Sequence, residues 1–160
     1  MTTSCKMLNL DLLNATPVQS SPFPYMIIPN FVHETELAGI KRDYPSISQA
    51  GSFPLSAVKP GPVFRELVNE LHSDALRKIL AEKFTIDLAE KPVLVTVRGH
   101  ADHKDGRIHT DSKSKLITVL LYMNDDWHVQ EGRLRGLYDA KNLEHYAAEV
   151  PPTAGTALIF

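Results

Sequence analysis

The sequence predicts an α+β domain in which an antiparallel sheet or barrel carries helices on one face. Three observations predict it. Residues 23–90 carry apolar positions at spacings of three and four, the period of helices. From residue 91 onward the period becomes that of strands. The order is helices first and strands second, with one late helical insert, and not the strict alternation that builds a parallel sheet.

The elements follow in order. Residues 1–22 are polar and then Pro-rich, and read as an N-terminal arm, a short strand or an extended segment. Tyr25 to Ile28 is a β-type run closed by Pro29. Glu34 to Asp43 reads as a helix stopped by Pro45. Ser46 to Gly61 is rich in Ser, Gly and Pro and reads as a loop. Pro62 suits the first turn of a helix whose stripe is Phe64, Leu67, Val68 and Leu71. Ser73 is an N-cap for a further helix with Leu76, Ile79, Leu80 and Phe84 on one face. Strands are expected at Val93–Arg98, Lys115–Met123, Arg133–Tyr138 and Thr156–Phe160, and a short helix capped by Asp139 through Tyr146.

Two strands predict their own faces, because side chains alternate along a strand. In Leu116 to Tyr122, Ile117, Val119 and Leu121 form an apolar face that should meet the helices. Leu116, Thr118, Leu120 and Tyr122 form a mixed face that would line an interior cavity. Val93, Val95 and Val97 oppose Leu94, Thr96 and Arg98 in the same way. An inward Arg98 would need an anionic ligand, since a lone buried charge is costly; the plain alternative is a strand end in solvent.

Composition narrows the function. With 160 residues, 43% hydrophobic and 22% charged, the chain can bury a core and is not of disordered type. A net charge of -2 offers no basic excess for nucleic acid or an anionic membrane surface. The single cysteine, Cys5, rules out an internal disulfide and fits a reducing cytoplasm. No apolar run approaches the roughly 20 residues of a membrane helix. The start MTTSCKMLNLDLLNATP is a poor signal peptide, and no repeat is visible.

The chemistry is concentrated in RGHADHKDGRIHTDSKSK, residues 98–115, which holds His-x-Asp at His100/Asp102, His103/Asp105 and His109/Asp111; a fourth copy is His72/Asp74. An imidazole and a carboxylate two apart reach one metal only from extended backbone, where they point the same way. His72/Asp74 straddles a helix break and reads as surface. His100 to Asp105 reads as a solvated loop. His109/Asp111 leads into the strand at Leu116, where cofactor sites form on rigid scaffolds. Hydrogen bonding of that His and Asp to each other or to backbone is the plain alternative.

The blocks DGRIHTDSKSKLITVLLYMNDDW, EGRLRGLYD and AEVPPTAGTALIF resemble the Fe(II)/2-oxoglutarate oxygenase superfamily in its prolyl-hydroxylase-like branch. The stretches PYMIIPNFVHETELAGI and GPVFRELVNELHSDALRKILAEKFTIDL are similar to the helical lead of bacterial members, so the likeness runs from about Pro24 onward. It implies a double-stranded β-helix, or jelly-roll barrel, over residues 23–160, with helices on one sheet. It implies Fe(II) held by His109, Asp111 and a distal His. It also implies 2-oxoglutarate and dioxygen as cosubstrates, ascorbate as a compatible reductant, and hydroxylation of a peptidyl side chain or small molecule. Thr118, Tyr122 and Arg98 become candidate contacts for 2-oxoglutarate, with ordinary barrel filling as the alternative for the first two.

The chain departs from the family pattern after TALIF. The resemblance calls for a distal His and a downstream Arg that pairs with the far carboxylate of 2-oxoglutarate, and neither follows. His128 and His145 lie elsewhere in the pattern. The expectation is therefore a fragment of the active enzyme, or a barrel closed in trans within a homo-oligomer. Glu131-Gly132 stands where many relatives have Gly-Gly, Trp127 reads as a packing anchor, and Arg133 and Arg135 share a strand face suited to salt bridges or, less simply, to substrate. Two other functions remain open: a non-catalytic jelly-roll binding module that has lost the complete metal site, and a zinc loop from His100, His103 and His109. The zinc loop lacks the cysteines and compact spacing of structural zinc.

Overall fold

A computed structural model of the chain describes residues 5–99, 109–125, 133–139 and 141–160. The helices expected between residues 34 and 84 hold closely. Leu10–Ala15 forms α1, Met26–Ile28 β1 and Glu34–Asp43 α2. Ser52–Pro54 forms β2 and is followed by a single 3₁₀ turn, Leu55–Ala57. Pro62–Leu71 forms α3 and Asp74–Phe84 α4. Pro62 starts α3, and the Ser73 hydroxyl caps α4 by accepting from the Leu76 N–H. The next cap comes from a neighbour. Asp43, the last residue of α2, accepts from the Val63 N–H at 2.7 Å and so satisfies the start of α3. Gly61 permits this approach, because a Cβ there would lie 2.5 Å from Asp43 Cγ. The Arg42 guanidinium and the Val63 N–H together hold the Asp43 carboxyl below its ordinary range.

The N-terminal stretch differs from the expected strand or extended arm. It carries α1, and Met7, Leu8 and Leu13 are buried in the main core. The cause lies far along the chain. The buried Glu70 carboxylate of α3 accepts from the backbone N–H groups of Lys6, Met7 and Leu8 at 2.7–3.0 Å. Those bonds fix the segment against the helices, and a Leu8–Val32 bridge continues it.

The strands β3 (Thr96–Arg98), β4 (Val119–Leu121), β5 (Leu134–Leu137), β6 (Tyr146–Val150) and β7 (Ala157–Ile159) follow. Among the described residues the pairing is antiparallel throughout: β1–β7–β4, β2–β3 and β5–β6. This is a mixed α+β architecture with several antiparallel sheets and no closed barrel among the described residues. Two details correct the sequence reading. The Ser46–Gly61 loop contains β2, whose Phe53 lies opposite Val97 of β3. Among the described residues no helix forms between Asp139 and Tyr146, where one was expected. Asp139 and Asn142 instead accept from the N–H groups of Lys141 and Glu144, which makes turns, and Tyr146 opens β6.

The central sheet shows the predicted alternation. Met26, Ile28, Val119, Leu121, Ala157 and Ile159 share one face and pack into the main core with the helices. Ile27, Leu120 and Leu158 share the other and join a second cluster with Tyr25, Tyr122, Ala148, Val150 and Phe160. No helix among the described residues is long and apolar enough to cross a membrane.

Candidate functional site

The ladder that carries the site extends past β4 at both ends. Thr118 N–H donates to Phe160 O at 2.7 Å and Phe160 N–H returns to Thr118 O. Tyr122 N–H donates to Thr156 O, and Gly155 N–H to Tyr122 O. Thr118 and Tyr122 are therefore held by β7 and its approach, on the face away from the helices. Upstream, residues 109–112 have no regular structure, and a hydrogen bond from Lys115 N–H to Ser112 O closes a turn before the strand.

This turn brings His109, Asp111, Lys115 and Thr118 together. His109 Nε2 lies 3.9 Å from Asp111 Oδ1, so the two side chains project to the same side. Thr118 Oγ1 donates to Asp111 Oδ2 at 2.6 Å, a short charge-assisted bond. Lys115 Nζ lies 3.8 Å from the same oxygen. The Asp111 side chain is 22% exposed and that of His109 65%. Two ligands at right angles on one divalent ion lie about 3.0 Å apart, given metal–ligand bonds of about 2.1 Å. The observed pair must therefore close by roughly 1 Å.

The donor types suit a divalent transition metal, while the donor number is short. Among the described residues no cluster of three or more His, Cys, Asp or Glu side chains could hold a metal ion. His100, Asp102, His103, Asp105, Trp127, His128 and the Glu131-Gly132 turn lie outside the described residues.

Tyr122 adds a second kind of signal. Its hydroxyl is buried and has no hydrogen-bond partner among the described residues. Burial pushes its pKa up to about 12, so it stays a protonated donor at neutral pH. A buried donor is costly unless a ligand or a water supplies the acceptor.

The remaining candidates are placed elsewhere. Arg98 ends β3, in the sheet with β2; the residue is exposed, and its carbonyl accepts from Tyr44 Oη at 2.8 Å. Val97 and Val95 take the core side of that strand, whereas Leu94 is 82% exposed. Arg133 and Arg135 follow the salt-bridge reading. Arg135 Nε bonds Glu149 at 2.7 Å, its Nη1 reaches Glu144, and its guanidinium lies 4.6 Å from the Tyr146 ring centre. Glu149 lies 3.6 Å from Arg133 Nη1, while the buried Arg133 Nε has no partner among the described residues. His145 stacks on Tyr138 at the hairpin tip. A groove of about 480 Å³ is lined by Leu55, Val58, Arg65 and their neighbours, and none of the candidate site residues contributes to it.

Sequence reasoning missed Lys115 and the bond between Thr118 and Asp111. The only signal for the latter was strand alternation, which put Thr118 on the correct face. Compared with known proteins, the chain matches no family model, no curated protein and no solved structure.

Proposed function

We propose that this chain carries the metal site of an Fe(II)- and 2-oxoglutarate-dependent oxygenase that hydroxylates an organic substrate, on a jelly-roll scaffold. The observation that carries the reading is the convergence of His109 Nε2 and Asp111 Oδ1 at 3.9 Å, beside a sheet face that holds the Tyr122 hydroxyl, which has no partner among the described residues. His109 and Asp111 are the proposed ligands, and two nitrogen and oxygen donors on one side of Fe(II) leave positions open for cosubstrate. Dioxygen would be the oxidant for breaking a substrate C–H bond, with bound Fe(II) activating it and 2-oxoglutarate as the cosubstrate that supplies the remaining electrons. The chain's own residues do the rest. Tyr122 would offer a hydrogen-bond donor to an oxygen of the cosubstrate, on a face lined by Leu120, Leu158 and Phe160. The third protein ligand is not among the described residues.

A second reading is a non-catalytic binding module on the same scaffold, since catalytic metal sites typically use three protein ligands and the described residues supply two. Succinate release separates the two. The oxygenase reading expects release that requires both Fe(II) and 2-oxoglutarate and disappears in His109→Ala and in Asp111→Ala. Release that survives both substitutions removes the ligand assignment, and no release with any added metal favours the binding module.

A further inference from the structure

We propose that Thr118 is the positioning residue for Asp111, holding Oδ2 so that Oδ1 alone is presented to a metal beside His109. The inference rests on the metal reading above and goes beyond it by assigning a role to a residue that touches no metal.

Three observations carry it. Thr118 is fixed where Asp111 is not. Its backbone is paired with Phe160 in both directions, and its β-branched side chain is stiff about χ1. Asp111 sits in irregular chain between His109 and the turn. The hydroxyl meets Oδ2 at 2.6 Å, in the range of strong bonds to a carboxylate. The partners then divide between the two oxygens: Thr118 and Lys115 face Oδ2, whereas His109 faces Oδ1. A carboxylate anchored through one oxygen offers the other as a single-oxygen ligand in a preset direction. Lys115 lies 3.8 Å away with its side chain 57% exposed, so it adds charge but little geometry. The hydroxyl gives its proton to Asp111, which leaves only lone pairs for any cosubstrate.

The test uses Mn(II) as the probe, titrated into the full 160-residue chain and followed by the electron paramagnetic resonance of the free ion. Thr118→Val keeps the shape and removes the proton. It should weaken Mn(II) binding about 10- to 100-fold, the usual effect of removing a group that orients a metal ligand. Its melting temperature should stay at the wild-type value, and Thr118→Ser should restore binding. If Thr118→Val melts early, Thr118→Ala removes the same hydroxyl without placing a methyl against the Asp111 carboxylate and is read in its place. Wild-type affinity in the hydroxyl-less variant, with binding lost in His109→Ala, overturns the role of Thr118 and leaves the metal site standing. Wild-type protein that binds no Mn(II), or binds it equally after His109→Ala, overturns the metal site and this inference with it.

Discussion

The sheet β1–β7–β4 meets different neighbours on its two faces, and the contrast separates what holds the fold from what is available for chemistry. Toward the helices, Met26, Ile28, Ala157 and Ile159 are at most 1% exposed and pack with Phe31, Ile40 and Leu67. Toward β6, Leu158 is 9% exposed, Ile27, Leu120, Tyr122 and Phe160 are only partly buried, and the Tyr122 hydroxyl has no partner among the described residues. The first face consists of apolar side chains filling space. The second keeps a polar group that a purely structural face would not keep, because an unmet buried donor destabilises the fold. The face that pays this penalty is the face that carries Thr118 and, through it, Asp111.

The largest expected effect lies on the helix side. Ile159→Ala removes a fully buried side chain from the tightest region and should cost about 4 kcal/mol in urea unfolding. Glu70→Gln belongs to the same side. It turns an amide NH₂ toward backbone N–H groups that now meet carboxylate oxygens, and should cost about 2–3 kcal/mol. Leu158→Ala, one residue from Ile159 but on the opposite face, should cost only about 2 kcal/mol, since the looser cluster can relax. Equal costs for Ile159→Ala and Leu158→Ala would erase the contrast.

The smallest effect on stability is the most informative about the second face. Tyr122→Phe removes the orphaned hydroxyl and should change stability by no more than about 1 kcal/mol, in the favourable direction. The pH dependence has a definite sign. The folded-state pKa of Tyr122 is raised to about 12 from an ordinary value near 10. Its contribution is therefore complete below pH 10 and is lost as pH rises from about 10 through 12. Tyr122→Phe should flatten that alkaline loss. An unchanged pH profile would mean that the hydroxyl is solvated in the folded chain.

The sequence made one side of this contrast easier to read than the other. The helices α2, α3 and α4 were legible because their apolar spacing, the Ser73 cap and Pro62 are local signals. The split of Ile117, Val119 and Leu121 from Leu120 and Tyr122 was legible because alternation along a strand is equally local. The N-terminal segment was not, because what fixes residues 6–8 is a carboxylate at Glu70, more than 60 residues away. The β5–β6 hairpin was misread because Asp139 serves a helix cap and a side-chain turn equally well, and nothing local distinguishes them. At the site, the shared direction of His109 and Asp111 followed from extended backbone. The bond to Thr118 depends on a turn at Ser112–Lys115 whose path the sequence does not dictate.

The central claim is that His109 and Asp111 hold one metal between them, and anomalous diffraction from crystals soaked in Mn(II) tests it most directly. The account predicts a peak within about 2.2 Å of both His109 Nε2 and Asp111 Oδ1, with Oδ2 still on the Thr118 hydroxyl. A map with no peak there, or with manganese bound only at other side chains, would contradict it.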